Sequence, residues 1–161
     1  MNLKTIKVIP SDQSHLPDLW EIMQAYPNCF DDAEQVHTIA DFTKWFVNNV
    51  VDSLTFMDNG EVIGSAFLDR IHEDNPIGRL GIILKRKKMS LGESIPMLKE
   101  KLSFCLDKHK LRMVYGVINS DNKASLCVAC ALGFKKGDTL ENHSRINGKP
   151  INCVIVMYMR E

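Results

Sequence analysis

Asn122-Lys123-Ala124-Ser125-Leu126-Cys127-Val128-Ala129-Cys130-Ala131-Leu132-Gly133-Phe134 is the stretch on which the reading of this chain turns. It reads as a short helix from about Asn122 to Leu132. Gly133 stands where a helix commonly ends in the left-handed conformation, which glycine adopts without a Cβ penalty. Met113 to Ile118, just before it, reads as a strand. After it, Leu140 to Ile146, Asn147-Gly148 and Asn152 to Met159 read as a closing hairpin, because Asn-Gly tolerates the positive φ of a type I′ turn.

Working back toward the start, Leu91, Ile95, Leu98, Leu102 and Cys105 mark a longer amphipathic helix, with Pro96 expected near its first turn. Pro76 to Leu84 reads as a strand whose last part, Ile82-Ile83-Leu84, is apolar on both faces and so belongs in the middle of a sheet. Ser53 to Met57 and Val62 to Leu68 flank Asn59-Gly60, a second tight hairpin. Two helices come earlier. Leu16, Leu19, Trp20 and Met23 share one helical face, ended by Pro27. Val36, Ile39, Ala40, Thr43 and Phe46 form the next, with Asp32 and Gln35 at capping-box spacing. Leu3 to Ile9 is a first strand that stops at Pro10.

The order is thus β-α-α-β-β-β-α-β-α-β-β: an α/β chain with a mixed sheet, antiparallel hairpins around one β-α-β crossover, and helices on the faces. No linker or repeat divides it, so residues 1–161 are expected to form one domain. At 161 residues, folding hides roughly 70% of the unfolded surface, enough for a core without disulfides or metal.

Lysine plus arginine equals aspartate plus glutamate, 20 each. A neutral chain has no global pull toward nucleic acid or anionic lipid, so any anion site must be local. The run Lys85-Arg86-Lys87-Lys88 is such a cluster, although a charge run can also be a solvated strand end. No apolar stretch is long enough to span a membrane, and MNLKTIKVIP lacks a signal peptide's apolar run. The five cysteines then read as reduced thiols in a cytoplasm. Cys127 and Cys130 have the spacing of a zinc half-site or redox pair, but no second Cys-x-x-Cys completes four ligands. They read as small buried thiols on one helical face, and no metal is expected. His72, His109 and His143 read as isolated surface residues. Phe42, Trp45 and Phe46, with Val50, read as core.

The element order, together with Asn122 to Leu126 and Leu132-Gly133-Phe134, resembles the GCN5-related N-acetyltransferases. The closing hairpin fits as well. The family's cofactor signature, (Gln/Arg)-x-x-Gly-x-(Gly/Ala), corresponds to Lys87-Lys88-Met89-Ser90-Leu91-Gly92, where only Gly92 matches outright. The stretch follows a strand and precedes a helix. There the free N–H groups and partial positive charge of a helix N-terminus favour phosphate.

The resemblance implies an N-acetyltransferase that moves an acetyl group from acetyl-CoA to a primary amine by direct attack in a ternary complex. It implies that the fourth strand splays from the fifth and binds the pantetheine arm along Leu80 and Ile82. An amide near Ile82 would polarise the thioester carbonyl. Lys87, Lys88, Met89, Ser90, Leu91, Gly92 and Glu93 would hold the phosphates, and Asn122 would contact the pantetheine or order a water. The candidates for base are Glu73 and Asp74, with His72 beside them, and Tyr115. Where many members carry a tyrosine acid, this chain has Ala129, so the leaving thiolate would take its proton from Cys130, Tyr158 or water. The first two helices and their loop would shape the acceptor pocket, and Asp31 and Asp32 in that loop, with Tyr26 and Asn28, would attract a cationic amine; read from its residues alone, the loop is a capped, solvated one. The partners implied are acetyl-CoA and an amine acceptor, and the closing hairpin offers an edge for a homodimer. The missing tyrosine and altered signature motivate an alternative of another class: a catalytically weak or inactive protein of this fold that binds acyl-CoA or a partner. A nucleic-acid partner for the basic cluster is disfavoured by the neutral charge.

Overall fold

The computed structural model describes residues 6–26, 35–71, 74–85 and 91–160, with Leu91 and Glu93 as backbone alone. The strands are β1 (Lys7–Pro10), β2 (Val50–Asp58), β3 (Glu61–Asp69), β4 (Ile77–Leu84), β5 (Met113–Asn119), β6 (Lys135–Ile146) and β7 (Lys149–Met159). The helices are α1 (Leu16–Gln24), α2 (Ile39–Asn49), α3 (Leu91–Lys108) and α4 (Lys123–Leu132). This is the element order expected from the sequence. Among the described residues the strands make one seven-stranded sheet in the order β1-β2-β3-β4-β5-β7-β6. Of the pairings among the described residues only β4 with β5 is parallel, and α3 lies between them in sequence. β4 lies fourth of seven, as its two-sided apolar sequence requires. Pro10 lies on an edge strand, where a missing N–H is tolerated.

Each face of the sheet has its own core. Leu98, Leu102 and Leu106 of α3, with Ala129 and Leu132 of α4, pack on Phe56, Ile63, Leu68, Val114, Val154 and Val156. On the other face, Leu16, Leu19, Ile22 and Met23 of α1, with Phe42, Trp45 and Phe46 of α2, pack on Val62, Phe67 and Ile83. Both tight hairpins form as read: Asn59 and Gly60 have φ 50° and 82°, and Asn147 and Gly148 have φ 51° and 74°.

Several local expectations are corrected. The second helix does not start at an Asp32/Gln35 box. Gln35 has a left-handed φ of 51°, and Asp32 lies outside the described residues. Thr38 caps α2 instead: its Oγ1 accepts the Asp41 N–H at 3.1 Å, and Asp41 Oδ2 accepts the Thr38 N–H at 2.9 Å. The buried face of α2 is its aromatic trio, whereas Ile39 is 42% exposed. Three large rings at i, i+3 and i+4 remove more apolar area from water than the Ile39–Ala40 face would. Pro96 is the sixth residue of α3 rather than a first-turn residue, so it cannot donate to the Gly92 carbonyl one turn earlier.

His109 is not isolated either. Its Nε2 lies 2.7 Å from Asp52 Oδ2, which also accepts from Lys108 Nζ at 2.8 Å. Burial pushes the Asp52 carboxyl up, but the hydrogen bonds from Lys108 and His109 outweigh it and hold the group below its ordinary value. The cluster ties the end of α3 to the start of β2. Cys127 and Cys130 are exposed rather than buried, because α4 turns Leu126, Ala129 and Leu132 toward the sheet.

Candidate active site

β4 and β5 pair only at their beginnings, through Ile77 with Met113, Gly78 with Val114 and Arg79 with Tyr115. Beyond that point β4 continues along β3 to Leu84, while β5 continues along β7 to Asn119. The two central strands therefore diverge and leave a wedge in the middle of the sheet.

The direction of the backbone groups along the wedge follows from register. Lys85 N–H bonds to Ile63 O at 2.9 Å across the β3 edge. Strand residues point their N–H and C=O to alternate edges, so odd-numbered residues of β4 face β3. Leu80, Ile82 and Leu84 then face β5. On the other wall, Ser120 N–H bonds to Asn152 O at 2.9 Å, so the even-numbered residues of β5 face β7 and Val117 faces the wedge. Past the vertex, among the described residues, no strand is in register with Ile82 or Leu84 on that side. Ile82 and Leu84 are half-buried, and backbone polar groups withdrawn from water need a partner. A ligand carrying amide or carbonyl groups along its length, as pantetheine does, suits such a wedge.

The helices α3 and α4 begin just beyond the carboxyl ends of β4 and β5, at the open end of the wedge, where open α/β sheets present ligand sites. Gly92 is exposed in the first turn of α3. Lys87, Lys88, Met89 and Ser90 lie outside the described residues, as do the side chains of Leu91 and Glu93. Lys85, counted in the basic run, is engaged: its Nζ donates to Glu61 Oε1, and this raises its pKa. On the other side, Asn122 caps α4. Its Oδ1 accepts the Ser125 N–H at 3.2 Å and its backbone N–H bonds to Asn119 O at 2.9 Å. The cap uses the side-chain oxygen and leaves the amide NH2 as the group Asn122 can offer a ligand.

At the vertex a row of side chains crosses three strands. Asp69 is opposite Arg79, and Arg79 is opposite Tyr115. Arg79 Nε donates to Asp69 Oδ1 at 2.8 Å, and its Nη2 donates to Oδ2. Asp69 is fully buried, while the Arg79 side chain is 20% exposed. Phe67, two residues before Asp69, packs on Trp45 and Phe46, so the row lies on the α1/α2 face. Nothing in the sequence singled out Asp69 or Arg79, since their pairing depends on a strand register that residue types alone do not reveal.

Of the base candidates, Tyr115 stands in this row and is half-buried. Asp74 is exposed in the turn before β4, at the paired end of the strands. Glu73 and His72 lie outside the described residues, as do Asn28, Asp31 and Asp32. Ala129 is buried. Cys130 is exposed on α4. Tyr158 packs against Phe134 at a tilt, with ring centroids 5.6 Å apart. Tyr158 and Arg160, with Lys135 and Asp107, also line a separate cleft of about 450 Å³ near the end of α3. Among the described residues no three His, Cys, Asp or Glu side chains are grouped to hold a metal ion, and no helix is long and apolar enough to cross a membrane.

Comparison with known proteins agrees with this architecture. A search of curated sequences gave no match. Solved structures do match. The ribosomal L7/L12 α-N-protein acetyltransferase RimL, in complex with coenzyme A, superposes with a TM-score of 0.80 at 17% identity, over 96% of this chain and 94% of that one. The ribosomal-protein-alanine N-acetyltransferase of Brucella melitensis gives 0.74 at 17% identity, over 96% and 99%. The yncA protein of Salmonella typhimurium, solved with its cofactor acetyl-CoA, gives 0.75 at 15% identity, over 97% and 94%. At these identities the likeness is one of fold. The sequence itself matches the model of the acetyltransferase (GNAT) domain over residues 10–135. A match across most of the chain, on a sheet that opens between its two central strands, means that this protein belongs to the GNAT acetyltransferase family.

Proposed function

We propose that the protein transfers an acetyl group from acetyl-CoA to a primary amine by direct attack within a ternary complex. The observation that carries this reading is the wedge between β4 and β5, with unpaired strand edges at Ile82 and Leu84. Acetyl-CoA supplies an activated thioester, and the chain's task is to hold it, polarise it and deprotonate the acceptor. Leu80 and Ile82 line the pantetheine path, and the Ile82 N–H donates to the thioester oxygen as negative charge develops there. The first turn of α3, with Leu91, Gly92 and Glu93, takes the phosphates together with Met89 and Ser90, which precede it in sequence, assisted by Lys87 and Lys88. Asn122 donates from its amide to the pantetheine or to a water beside it.

Attack forms the C–N bond and expels the CoA thiolate, while a base accepts the amine's proton. Glu73, Asp74 and Tyr115 are the base candidates, and Tyr115 is favoured by its position in the vertex row. Two of the similar structures are named for acetylating ribosomal proteins, so peptides with a free α-amine are the first acceptors to try.

A second reading, a binding module with little catalysis, is favoured by one observation: Ala129 is a small buried residue where the resemblance expects a tyrosine acid. Initial rates of CoA release over a grid of acetyl-CoA and peptide concentrations distinguish the two. Intersecting double-reciprocal lines are expected. Tyr115→Phe is expected to lower kcat by about 100-fold with acetyl-CoA affinity unchanged, and Asp74→Asn and Glu73→Gln are the comparison variants. Tight acetyl-CoA binding without product from any amine would support the binding module instead.

A further inference from the structure

We propose that Cys127 and Cys130 form a vicinal dithiol on the outer face of α4, and that among the described cysteines this pair is the site of reversible oxidation by peroxide-class oxidants. The two residues are three apart on one helix, so they point about 60° apart around its axis, with Cα atoms about 5 Å apart. Both are exposed, because α4 commits Leu126, Ala129 and Leu132 to the core and leaves the neighbouring stripe in solvent.

The other described thiols are shielded. Cys105 is buried, and that burial pushes its thiol up to about 11, which keeps it protonated and unreactive. Cys153 is buried, with its Sγ 3.6 Å from Asn119 Oδ1 and 3.5 Å from Ser144 Oγ. Accessibility therefore selects the α4 pair.

The chemistry balances in two steps. One thiolate attacks a peroxide oxygen, breaking the O–O bond to give a sulfenic acid and, from hydrogen peroxide, one water. The second thiol attacks that sulfur and expels the oxygen as another water, leaving a disulfide. Two thiols and one peroxide become one disulfide and two waters, and the peroxide is the oxidant. The Cα separation falls within the range a disulfide spans, about 4.4–6.8 Å. Neighbouring Cβ atoms on a helix, however, lie about 5–6 Å apart, against about 3.8 Å in a relaxed disulfide. Closing the bond therefore strains the middle of α4, and a strained, exposed disulfide is readily reduced. Reversibility follows from the geometry.

The test uses the full chain with Cys29→Ser as background, since Cys29 lies outside the described residues. Tryptic cleavage after Lys123 and Lys135 releases Ala124–Lys135, which holds both cysteines and no other. Under mild hydrogen peroxide this peptide is expected to lose the mass of two hydrogens at least about tenfold faster than Cys105 or Cys153 is modified, and dithiothreitol should restore it. Cys127→Ser or Cys130→Ser should abolish the loss and leave the remaining thiol trappable as a sulfenic acid. The proposal is overturned if the peptide keeps both free thiols while other cysteines oxidise. It is equally overturned if the peptide only gains oxygen irreversibly, or if the disulfide joins two molecules. None of these outcomes depends on acetyl transfer.

Discussion

Asp69→Ala is expected to lower the free energy of unfolding by about 3 kcal/mol, read as a shift in the urea midpoint. Asp69 is fully buried, and both its oxygens accept from Arg79. Removing the carboxylate takes away the acceptor of both these Arg79 hydrogen bonds, and breaking a buried pair typically costs about 3–5 kcal/mol. The low end applies because the Arg79 side chain keeps 20% of its exposure and can draw on water. Asp69→Ala with Arg79→Met should recover part of the loss, because the guanidinium that bonded both carboxylate oxygens is then gone as well, while Arg70, 3.9 Å from Asp69, is half-exposed to water. A loss that is the same with and without Arg79 would show that the pair contributes nothing and that Asp69 acts through packing alone. The pair closes β3 against β4 at the vertex, so the same variant reports on what holds the wedge's apex.

Gly81→Ala is expected to cost about as much, by a different route. A Cβ at Gly81 would lie 2.2 Å from Cζ of Phe67, inside any allowed contact. The ring cannot swing away cheaply, since Trp45 and Phe46 pack against it with centroids at 5.6 and 6.1 Å. Overpacking of this kind costs about 1–3 kcal/mol, and the upper end is expected here. In a Phe67→Leu background the added methyl should cost far less, and that coupling in a double-mutant cycle identifies the ring as the cause. Equal costs in both backgrounds would place the clash elsewhere. Gly81 lies between Leu80 and Ile82, so Phe67 on the α1/α2 face presses on the wall of the wedge.

Much of this architecture was legible. Asn59-Gly60 and Asn147-Gly148 announce hairpins because few residue pairs accept two positive φ angles in succession. Asn122 and Gly133 bracket α4 as cap and left-handed terminus. Strand ends were harder to read. β6 begins at Lys135, not Leu140, because its first residues lie on a sheet edge and are mostly exposed, so no apolar alternation marks them. The wedge itself came from the family resemblance, and the vertex row was invisible, since Asp69 and Arg79 meet only once the β3/β4 register is fixed. The cysteine pair shows the limit of periodicity. Spacing puts Cys127 and Cys130 on one face, but only the packing of Ala129 and Leu132 decides that this face looks outward.

Isothermal titration of acetyl-CoA into the purified protein, repeated with Lys87→Ala and Lys88→Ala together, tests most directly whether the wedge and the start of α3 form a cofactor site. Micromolar binding is expected, weakened about tenfold by the double change, or about 1.4 kcal/mol. No heat at millimolar acetyl-CoA, or an affinity indifferent to both lysines, would contradict the assignment.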